Sequence, residues 1–299
     1  MKNKRISCII NPIAANSKWK RRKNLRRYLE EHIPGPIFDC HQDKTKTIQK
    51  AKELSLENDV LIAAGGDGTV ADVMQGIIEA GRGKKTSLAV LPLGGGNAFS
   101  RSLDIPLNVR KALRLIETGQ TKEIDLLDIE GQVATFASIG AAAEITLHKF
   151  KTELPSFIGH FIAARIIFKL PLRKMEVELI DGLDDSEGPF DHKTYRTEAL
   201  DCVIGKSNHF GYNWKVAPKA SLQDGYIDLT FFEITPLKAV LSFPRIYRGT
   251  FQKTQRHIKA KKAVFRGSGL HIQYHGEYLG TKDEINLSVL PNALNVITP

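Results

Sequence analysis

The stretch Asp59-Val60-Leu61-Ile62-Ala63-Ala64-Gly65-Gly66-Asp67-Gly68-Thr69-Val70 decides how the residues around it are read. Val60 to Ala64 is an apolar run without alternation, the pattern of a strand buried on both faces in a parallel sheet. Three glycines then surround one aspartate, and a helical pattern opens at Thr69. Glycine permits positive φ and lets a ligand approach the backbone closely. Thr69 suits an N-cap, and the helix behind it offers free N–H groups at the positive end of its dipole. Strand, glycine turn and helix N-terminus in this order outline a phosphate site. A carboxylate beside phosphates is repulsive unless a cation lies between them, so Asp67 reads as a magnesium-linked aspartate. An ordinary strand-to-helix turn with a capping threonine is the competing account, because short glycine motifs recur by chance.

A second loop, Leu91-Pro92-Leu93-Gly94-Gly95-Gly96-Asn97-Ala98-Phe99-Ser100-Arg101, weighs against chance. It too follows a buried apolar run, Leu88 to Leu91, and opens a helix. Two glycine turns at adjacent strand ends make a crevice, and in open α/β sheets ligands bind in the crevice beyond the carboxyl ends of the strands.

Taken with Asn11-Pro12, Asp224-Gly225-Tyr226-Ile227-Asp228 and Gly276-Glu277, these loops resemble the diacylglycerol kinase-like lipid kinases, which include bacterial lipid kinases and the sphingosine and ceramide kinases. The Gly-Gly-Asp-Gly-Thr core alone is shared with NAD kinases and, loosely, with phosphofructokinases; the ordered set is far more specific. The resemblance runs over nearly the whole chain. It implies a nucleotide-binding α/β domain followed by a β-sandwich, with ATP and Mg2+ as cofactors.

The 299 residues suffice for two packed domains with their own cores. With 42% hydrophobic and 25% charged residues, the composition is that of a globular protein. No apolar run is long enough to span a bilayer, and Met1-Lys2-Asn3-Lys4-Arg5 leads into a strand without a signal-type apolar stretch. Cys8, Cys40 and Cys202 form neither a disulfide framework nor a metal pattern, which fits a reducing cytoplasm. The net charge of +10 draws the protein to polyanions, an acidic membrane surface or a nucleic acid. A nucleic-acid role is not expected, because no aromatic-studded reading surface accompanies the charge.

Along the chain, Arg5 to Ile10 reads as a first strand, Trp19 to His32 as a strongly basic helix, Ile37 to His41 as a strand and Lys46 to Glu57 as a helix opened by Thr45 or Thr47. The basic helix face is either solvated or an anion-attracting patch. Strand and helix alternate to Glu117, which predicts a doubly wound parallel sheet. From Thr121 the texture changes to strands separated by turns: Glu123–Asp128, Gln132–Ile139, Lys174–Leu183, Thr194–Ile204, Tyr226–Glu233, Ala263–Arg266, Leu270–Tyr274 and Glu284–Leu290. A mainly antiparallel second domain is expected, with boundaries at residues 1–122 and 123–290 and with 291–299 returning to the first domain. Gly81-Arg82-Gly83-Lys84-Lys85-Thr86 looks like a Walker A fragment but lacks its spacing and precedes a strand.

Phosphoryl transfer needs placed phosphates, a divalent ion and an acceptor for the hydroxyl proton. The glycine backbones from Gly65 to Thr69 and Gly94 to Gly96, with Asn97, are the candidates for the phosphates. The resemblance adds Asn11 and, by its spacing to Ala51, Thr45 as nucleotide contacts; a plain helix cap explains Thr45 equally. Where similar kinases carry Thr or Ser, this chain has Gly95, and Asn97-Ala98 replaces the bacterial Asn-Asp in the manner of the sphingosine kinases. Glu277, in His275-Gly276-Glu277, matches an Asp-Gly-Glu motif whose glutamate is the family's proposed general base; His275 stands where that motif has aspartate. Asp224, with Ser221 and Tyr226 beside it, falls where the family holds a structural magnesium, although an Asp-Gly turn is equally good sequence physics. Glu144 falls where sphingosine kinases have an aspartate that meets the substrate head group; an ordinary helix position explains it as well. His271, His275 and Glu277 on one strand face lack the further ligands of a transition-metal site.

Pro155 to Leu170 is rich in large apolar residues, either a core helix, an acyl-chain pocket or an interfacial helix flanked by Arg173 and Lys174. A second basic region, Arg245, Arg248, Lys253, Arg256, Lys259, Lys261, Lys262 and Arg266, has no acid among its members and suits an anionic lipid surface. The expected protein is an ATP-dependent lipid kinase of the cytoplasm, peripheral to the membrane, with a lipid substrate at an anionic surface. Glu277 is its base, and Asp67 acts through magnesium. Its oligomeric state is open, a homodimer included. Two rivals remain: a kinase of a soluble nucleotide resembling NAD kinase, and a nucleotide- or lipid-binding protein without turnover, suggested by Ala15, in a loop where similar kinases usually carry a glycine, and by Gly95, Ala98 and His275.

Overall fold

A computed structural model of the chain describes residues 4–14, 24–149, 165–210, 214–215, 217–251 and 254–299. The chain divides into two units, one within residues 1–126 and 291–299 and the other within 127–210 and 214–290.

In the first unit β1 (Ile6–Ile10), β2 (Ile37–Asp39), β3 (Val60–Gly65) and β4 (Ser87–Pro92) are all parallel. The final segment of β13 (Glu277–Thr298) joins them, pairing in parallel with β4 at Val296 and Leu88. The order is β2-β1-β3-β4-β13. β1 and β3 are buried along their whole length; β3 is the unalternating apolar run of a sheet covered on both sides, and in β1 the buried Ser7 hydroxyl is satisfied by Asn58 Oδ1 at 3.1 Å. Helices α1 (Leu25–His32), α2 (Lys44–Glu57), α3 (Asp67–Glu79), α4 (Ala98–Ser102) and α5 (Val109–Thr118) connect the strands. α3 lies close against α2 at Gly76, where a Cβ would stand 2.5 Å from the Ile48 carbonyl oxygen and 2.6 Å from Ala51 Cβ.

Two helix starts differ from the sequence expectation. α2 begins at Lys44 and is capped by Asp43, whose carboxylate accepts from the Thr45 N–H, so neither Thr45 nor Thr47 is its cap. Thr47 instead turns its hydroxyl back to the His41 backbone. α3 begins at Asp67 with Gly66 at the cap position, which puts Thr69 at the third position of the first turn, buried rather than capping. Glycine accepts the extended cap backbone at little cost, and Asp67 takes the first-turn position that favours an acid.

The second unit is antiparallel. β7 (Phe136–Gly140), β10 (Asp201–Gly205), β11 (Ile227–Phe232) and β12 (Arg256–Tyr274) pair in succession, and β12 pairs back onto β7. The hairpin of β8 (Arg173–Asp184) and β9 (Gly188–Ala199) extends from β12. β5 (Gln120–Ile129) and β6 (Gln132–Ala134) make a further hairpin. The expected breaks in this region are partly displaced. Ala263–Arg266 and Leu270–Tyr274 are one strand, because Gly267-Ser268-Gly269 is a bulge across which pairing to β13 continues from Arg266–Glu284 to Leu270–Lys282. Gly269 takes φ +64 there and its N–H donates to Asp283. Conversely Thr194–Ile204 is two strands, divided at Leu200. Val177, Leu179, Ile204, Leu229, Phe231, Phe265, Ile272 and Ile285 form part of this unit's core. Helix α6 (Ala141–Lys149) follows β7, and the short helices α7 (Pro236–Leu241) and α8 (Phe243–Tyr247) follow β11. Among the described residues no helix is long and apolar enough to cross a membrane. The basic residues Lys18 and Lys20 to Lys23, and Pro155 to residue 164 of the apolar stretch, lie outside the described residues.

Candidate active site

Strand order in the first unit reverses direction between β1 and β3, since β1 leads outward to β2 and β3 leads outward to β4. Such a switch point opens a crevice at the carboxyl ends of the strands, where ligands of doubly wound sheets bind. Asn11 follows β1 and Gly66 follows β3 at this place. The Asn11 N–H donates to the Ala64 carbonyl oxygen at 2.9 Å, and its side-chain Nδ2 donates to Thr69 Oγ1 at 3.1 Å. Thr69 Oγ1 therefore ties the first turn of α3 to the β1 loop.

The two glycine loops clasp one another. The N–H groups of Leu93 and Gly94 both donate to the Gly65 carbonyl oxygen, at 2.9 and 3.1 Å. A Cβ on Gly94 would lie 2.4 Å from Gly66 Cα, and one on Gly65 would lie 2.4 Å from Thr69 Oγ1. Asn97 holds the second loop, accepting from the Gly94 N–H at 3.1 Å and donating to the Gly94 carbonyl oxygen at 2.9 Å. It does so at φ 51, a region that asparagine tolerates better than most side chains. Gly95 and Gly96 complete the turn into α4.

Asp67 links these loops. Its Oδ1 accepts from the Phe99 N–H at 3.0 Å, so the carboxylate sits against the start of α4 while belonging to α3. Burial pushes its carboxyl up, and the N–H groups of Phe99, Ala98 and Asn97 oppose that push. The remaining lone pairs of a carboxylate suit a hydrated divalent ion. The first-turn N–H groups of α3, which have no intrahelical acceptor, and the lack of a Cβ at Gly65, Gly66 and Gly94 fit nucleotide phosphates. Thr45, an exposed residue in the first turn of α2, is placed on another loop of the same unit.

In the second unit, Glu277 begins β13 directly after a two-residue turn. Tyr274 pairs with Glu277 across His275 (φ 47) and Gly276 (φ 80), the mirror-image geometry favoured by tight hairpins. The Gly276 N–H donates to Gln273 Oε1 at 2.9 Å, and Gln273 Nε2 donates to Ser138 Oγ at 3.0 Å. His275 is buried and its Nε2 accepts from the Thr135 N–H at 3.1 Å, which places the ring proton on Nδ1. Burial lowers its pKa to about 3, so the ring stays neutral. The histidine thus holds the turn by accepting a backbone N–H, a service an aspartate could also perform.

The Asp224 turn departs from a metal site. Lys206 Nζ, on a fully buried side chain, donates to Asp224 Oδ1 at 2.8 Å and to the Tyr226 carbonyl oxygen at 2.5 Å. Lys259 Nζ donates to Asp224 Oδ2 at 2.7 Å. Against the opposing effect of burial, these two ammonium groups hold the Asp224 carboxyl below the ordinary range. Ser221 uses its hydroxyl to accept from the Gln223 N–H. Both oxygens of Asp224 and the Tyr226 carbonyl already face cationic donors, so Asp224, Tyr226 and Ser221 do not fit a divalent ion. Among the described residues no group of three or more His, Cys, Asp or Glu side chains could hold a metal.

Glu144 lies on α6 with its Oε1 2.7 Å from Arg173 Nη2 and 3.8 Å from His271 Nε2. It is part of a charge-balanced pair rather than a bare carboxylate. Close by, Asp201 is buried, accepts from the Ala142 N–H at 3.3 Å and has a pKa raised to about 8, chiefly by burial and further by the Glu144 charge. Much of the second basic region is also compensated. Arg256 meets Asp184 and Glu187, Lys261 meets Asp181, and Arg266 meets Glu178 and Glu284. Lys206, Asp201 and Arg173 carried no local signal in the sequence, because each acts through partners 18 to 59 residues away. Asp43 did carry one, standing two residues before Thr45 at a helix start.

A glycine-lined turn at the switch point of a parallel sheet is the kind of place where doubly wound proteins hold phosphates, and this chain carries an antiparallel β unit as well. Residues 5–129 match the family described as "Diacylglycerol kinase catalytic domain", and residues 180–298 match the "YegS C-terminal NAD kinase beta sandwich-like domain". The chain belongs to the diacylglycerol kinase-like lipid kinases, enzymes that transfer phosphate to a lipid hydroxyl. It is 29% identical over 261 residues to the Diacylglycerol kinase of Staphylococcus saprophyticus, covering 85% of this chain and 81% of the relative. The Diacylglycerol kinase of Staphylococcus aureus is 27% identical over 304 residues, covering 99% and 93%. A solved structure from Bacillus anthracis, described as that of a diacylglycerol kinase, shares the fold with a TM-score of 0.75 at 20% identity, covering 100% of this chain and 99% of its own.

Proposed function

We propose that this lipid kinase uses ATP to phosphorylate the hydroxyl of diacylglycerol or a related lipid at an anionic membrane surface, acting from the cytoplasm. The observation that carries the reading is the clasp of the two glycine loops at the switch point. Glycine backbone lines the clasp beside the start of α3, with the Thr69 and Asn97 side chains close against it, which supports this as the place for the phosphates of a nucleotide. In this reading Gly65, Gly66, Gly68, Thr69, Gly94, Gly95 and Gly96 receive the phosphates. Asn11 and Asn97 hold the loops, and Thr45 is a further nucleotide contact. Asp67 engages a magnesium ion that, when bound, screens the phosphate charge. Glu277, presented by the His275-Gly276 turn, takes the proton of the acceptor hydroxyl. The names of the Staphylococcus relatives support diacylglycerol as acceptor. The Glu144–Arg173 pair offers a hydroxylated head group both an acceptor and a donor, which suits a neutral head group better than an amine.

The test is magnesium-dependent ADP release in mixed micelles against diacylglycerol, sphingosine, ceramide, monoacylglycerol and NAD, with Glu277→Gln in parallel. Turnover on diacylglycerol that falls at least about a hundredfold in the variant is the expected result. A fully active variant removes Glu277 as the base. Turnover on NAD alone, or ATP binding without ADP release on any acceptor, overturns the lipid reading.

A further inference from the structure

The geometry points to the outer face of α7 and α8 as the surface by which this protein docks on an anionic lipid bilayer, an inference that rests on the lipid-kinase reading above. The two helices turn opposite faces to different environments. Inward, Ala239 is buried and Ile246 packs on a cluster that includes Leu200, Val203, Phe232 and Phe251. Phe243 and Tyr247 meet Trp214 edge-on, with ring centroids 5.1 and 5.6 Å apart. These contacts anchor the helices, and no described residue covers their other side.

That other side carries Leu237 and Leu241, 56% and 74% exposed, with Leu241 the most exposed large apolar residue among those described. Pro244 and the cations Lys238, Arg245 and Arg248 are exposed beside them. Leu237 and Leu241, four apart, share one face of α7, while Arg245 lies on α8 and Arg248 caps its end. No Asp or Glu occurs between Ile234 and Thr254. The paired cations of β12 described above have acids against them. Among the described residues Lys238 and Arg248 form no ion pair, and Arg245 leans over the Phe251 ring at 5.6 Å.

Uncovered leucines beside unpaired cations match the boundary between acyl chains and anionic head groups. Leucines enter the acyl region, and Lys and Arg reach the phosphates. A second copy of the chain fits worse. An isologous contact through this face would set Lys238, Arg245 and Arg248 against their own counterparts. An enzyme whose acceptor is a lipid must also meet a membrane, and this face has both the charge sign and the apolar area for it.

The experiment is sedimentation of the full-length protein with vesicles of phosphatidylcholine alone and of phosphatidylcholine with phosphatidylglycerol. Wild type, Leu237→Asp/Leu241→Asp and Lys238→Glu/Arg248→Glu are compared. Circular dichroism and Tm check folding, ADP release on micelle-dispersed diacylglycerol checks the active site, and light scattering reports oligomeric state. Wild type is expected to bind the anionic vesicles and not the neutral ones. The leucine variant loses about a hundredfold in partitioning, and the charge variant about fivefold or more per cation. Both stay folded and keep their micellar turnover. A folded leucine variant that binds anionic vesicles like wild type overturns the inference, as does wild type that binds no vesicle. A wild-type dimer dispersed by the leucine variant makes a second copy the occupant and also overturns it. If neither wild type nor its variants turn over lipid, the kinase reading fails separately from the vesicle result.

Discussion

Replacing Lys206 by methionine tests whether an internal ammonium group stands where related kinases are expected to hold a metal ion. The side chain is fully buried, and its Nζ joins Asp224 Oδ1 and the Tyr226 carbonyl oxygen. Removing one partner from a buried ion pair costs about 3–5 kcal/mol, because the other charge is left without compensation. Asp224 keeps Lys259 at 2.7 Å and its side chain is 24% exposed, so about 2–3 kcal/mol is the expected loss here. For a unit of this size that corresponds to a fall in Tm of about 5–10 °C. Calorimetry on nucleotide-free protein, with chelator and then with millimolar Mg2+ or Ca2+, measures it. Wild type should unfold at the same temperature in all of these solutions, and Lys206→Met should unfold earlier. A wild-type Tm that rises with the divalent ion, and ceases to rise in Asp224→Asn, would refute the argument by showing that a metal occupies the turn. An unchanged Tm in Lys206→Met would refute it from the other side.

Two buried titratable groups should shape stability against pH in opposite directions. His275 falls from 6.5 to about 3 on folding, so its contribution is present above about pH 6.5 and is lost as the pH drops toward 3. Asp201 rises from 3.8 to about 8, so its contribution is present below 3.8 and is lost as the pH rises through 8. Between 3.8 and 6.5 the two slopes oppose one another. Denaturant titrations should therefore show less acid sensitivity in His275→Asn than in wild type, and less loss between pH 6.5 and 8 in Asp201→Asn; unchanged profiles would contradict the burial argument. Gly94→Ala, whose Cβ would stand 2.4 Å from Gly66 Cα, should force the glycine loops apart and weaken ATP binding at least about tenfold, as isothermal titration would show. Gly276→Ala meets no atom within 4 Å, so only its φ of +80 matters and its cost should stay near about 1–2 kcal/mol. Asn11→Ala removes the bond to Thr69 Oγ1 and should raise the KM for ATP several-fold, with a stability loss of about 1 kcal/mol.

How much was legible in advance depends on how local each feature is. The strand, glycine turn and helix at Val60–Val70 could be read because a buried parallel strand, a φ-permissive turn and a helix start each leave a mark within a few neighbouring residues. The change from alternating helix and strand to strands and turns near Thr121 was visible for the same reason, as the fold class required only periodicity. Errors arose where residue types have two uses. Thr69 and Thr45 look like caps, yet Gly66 and Asp43 occupy those positions. Gly267-Ser268-Gly269 looks like a turn, yet it is a bulge inside one long strand.

The amino-acid sequence by itself determined the glycine loops, the sheet type of each unit and the charge of the whole chain. Tertiary structure alone decided what those parts meet. It set Asp67 against the start of α4, 32 residues away, and filled the Asp224 turn with the ammonium groups of Lys206 and Lys259. It also matched the cations of β12 to acids of β8, which left the unpaired charge beside the bare leucines of α7. Ion pairs and close backbone contacts join residues that the chain brings together only by folding. Their energies depend on burial and on the partner's distance, and neither quantity is written in the local order of side chains.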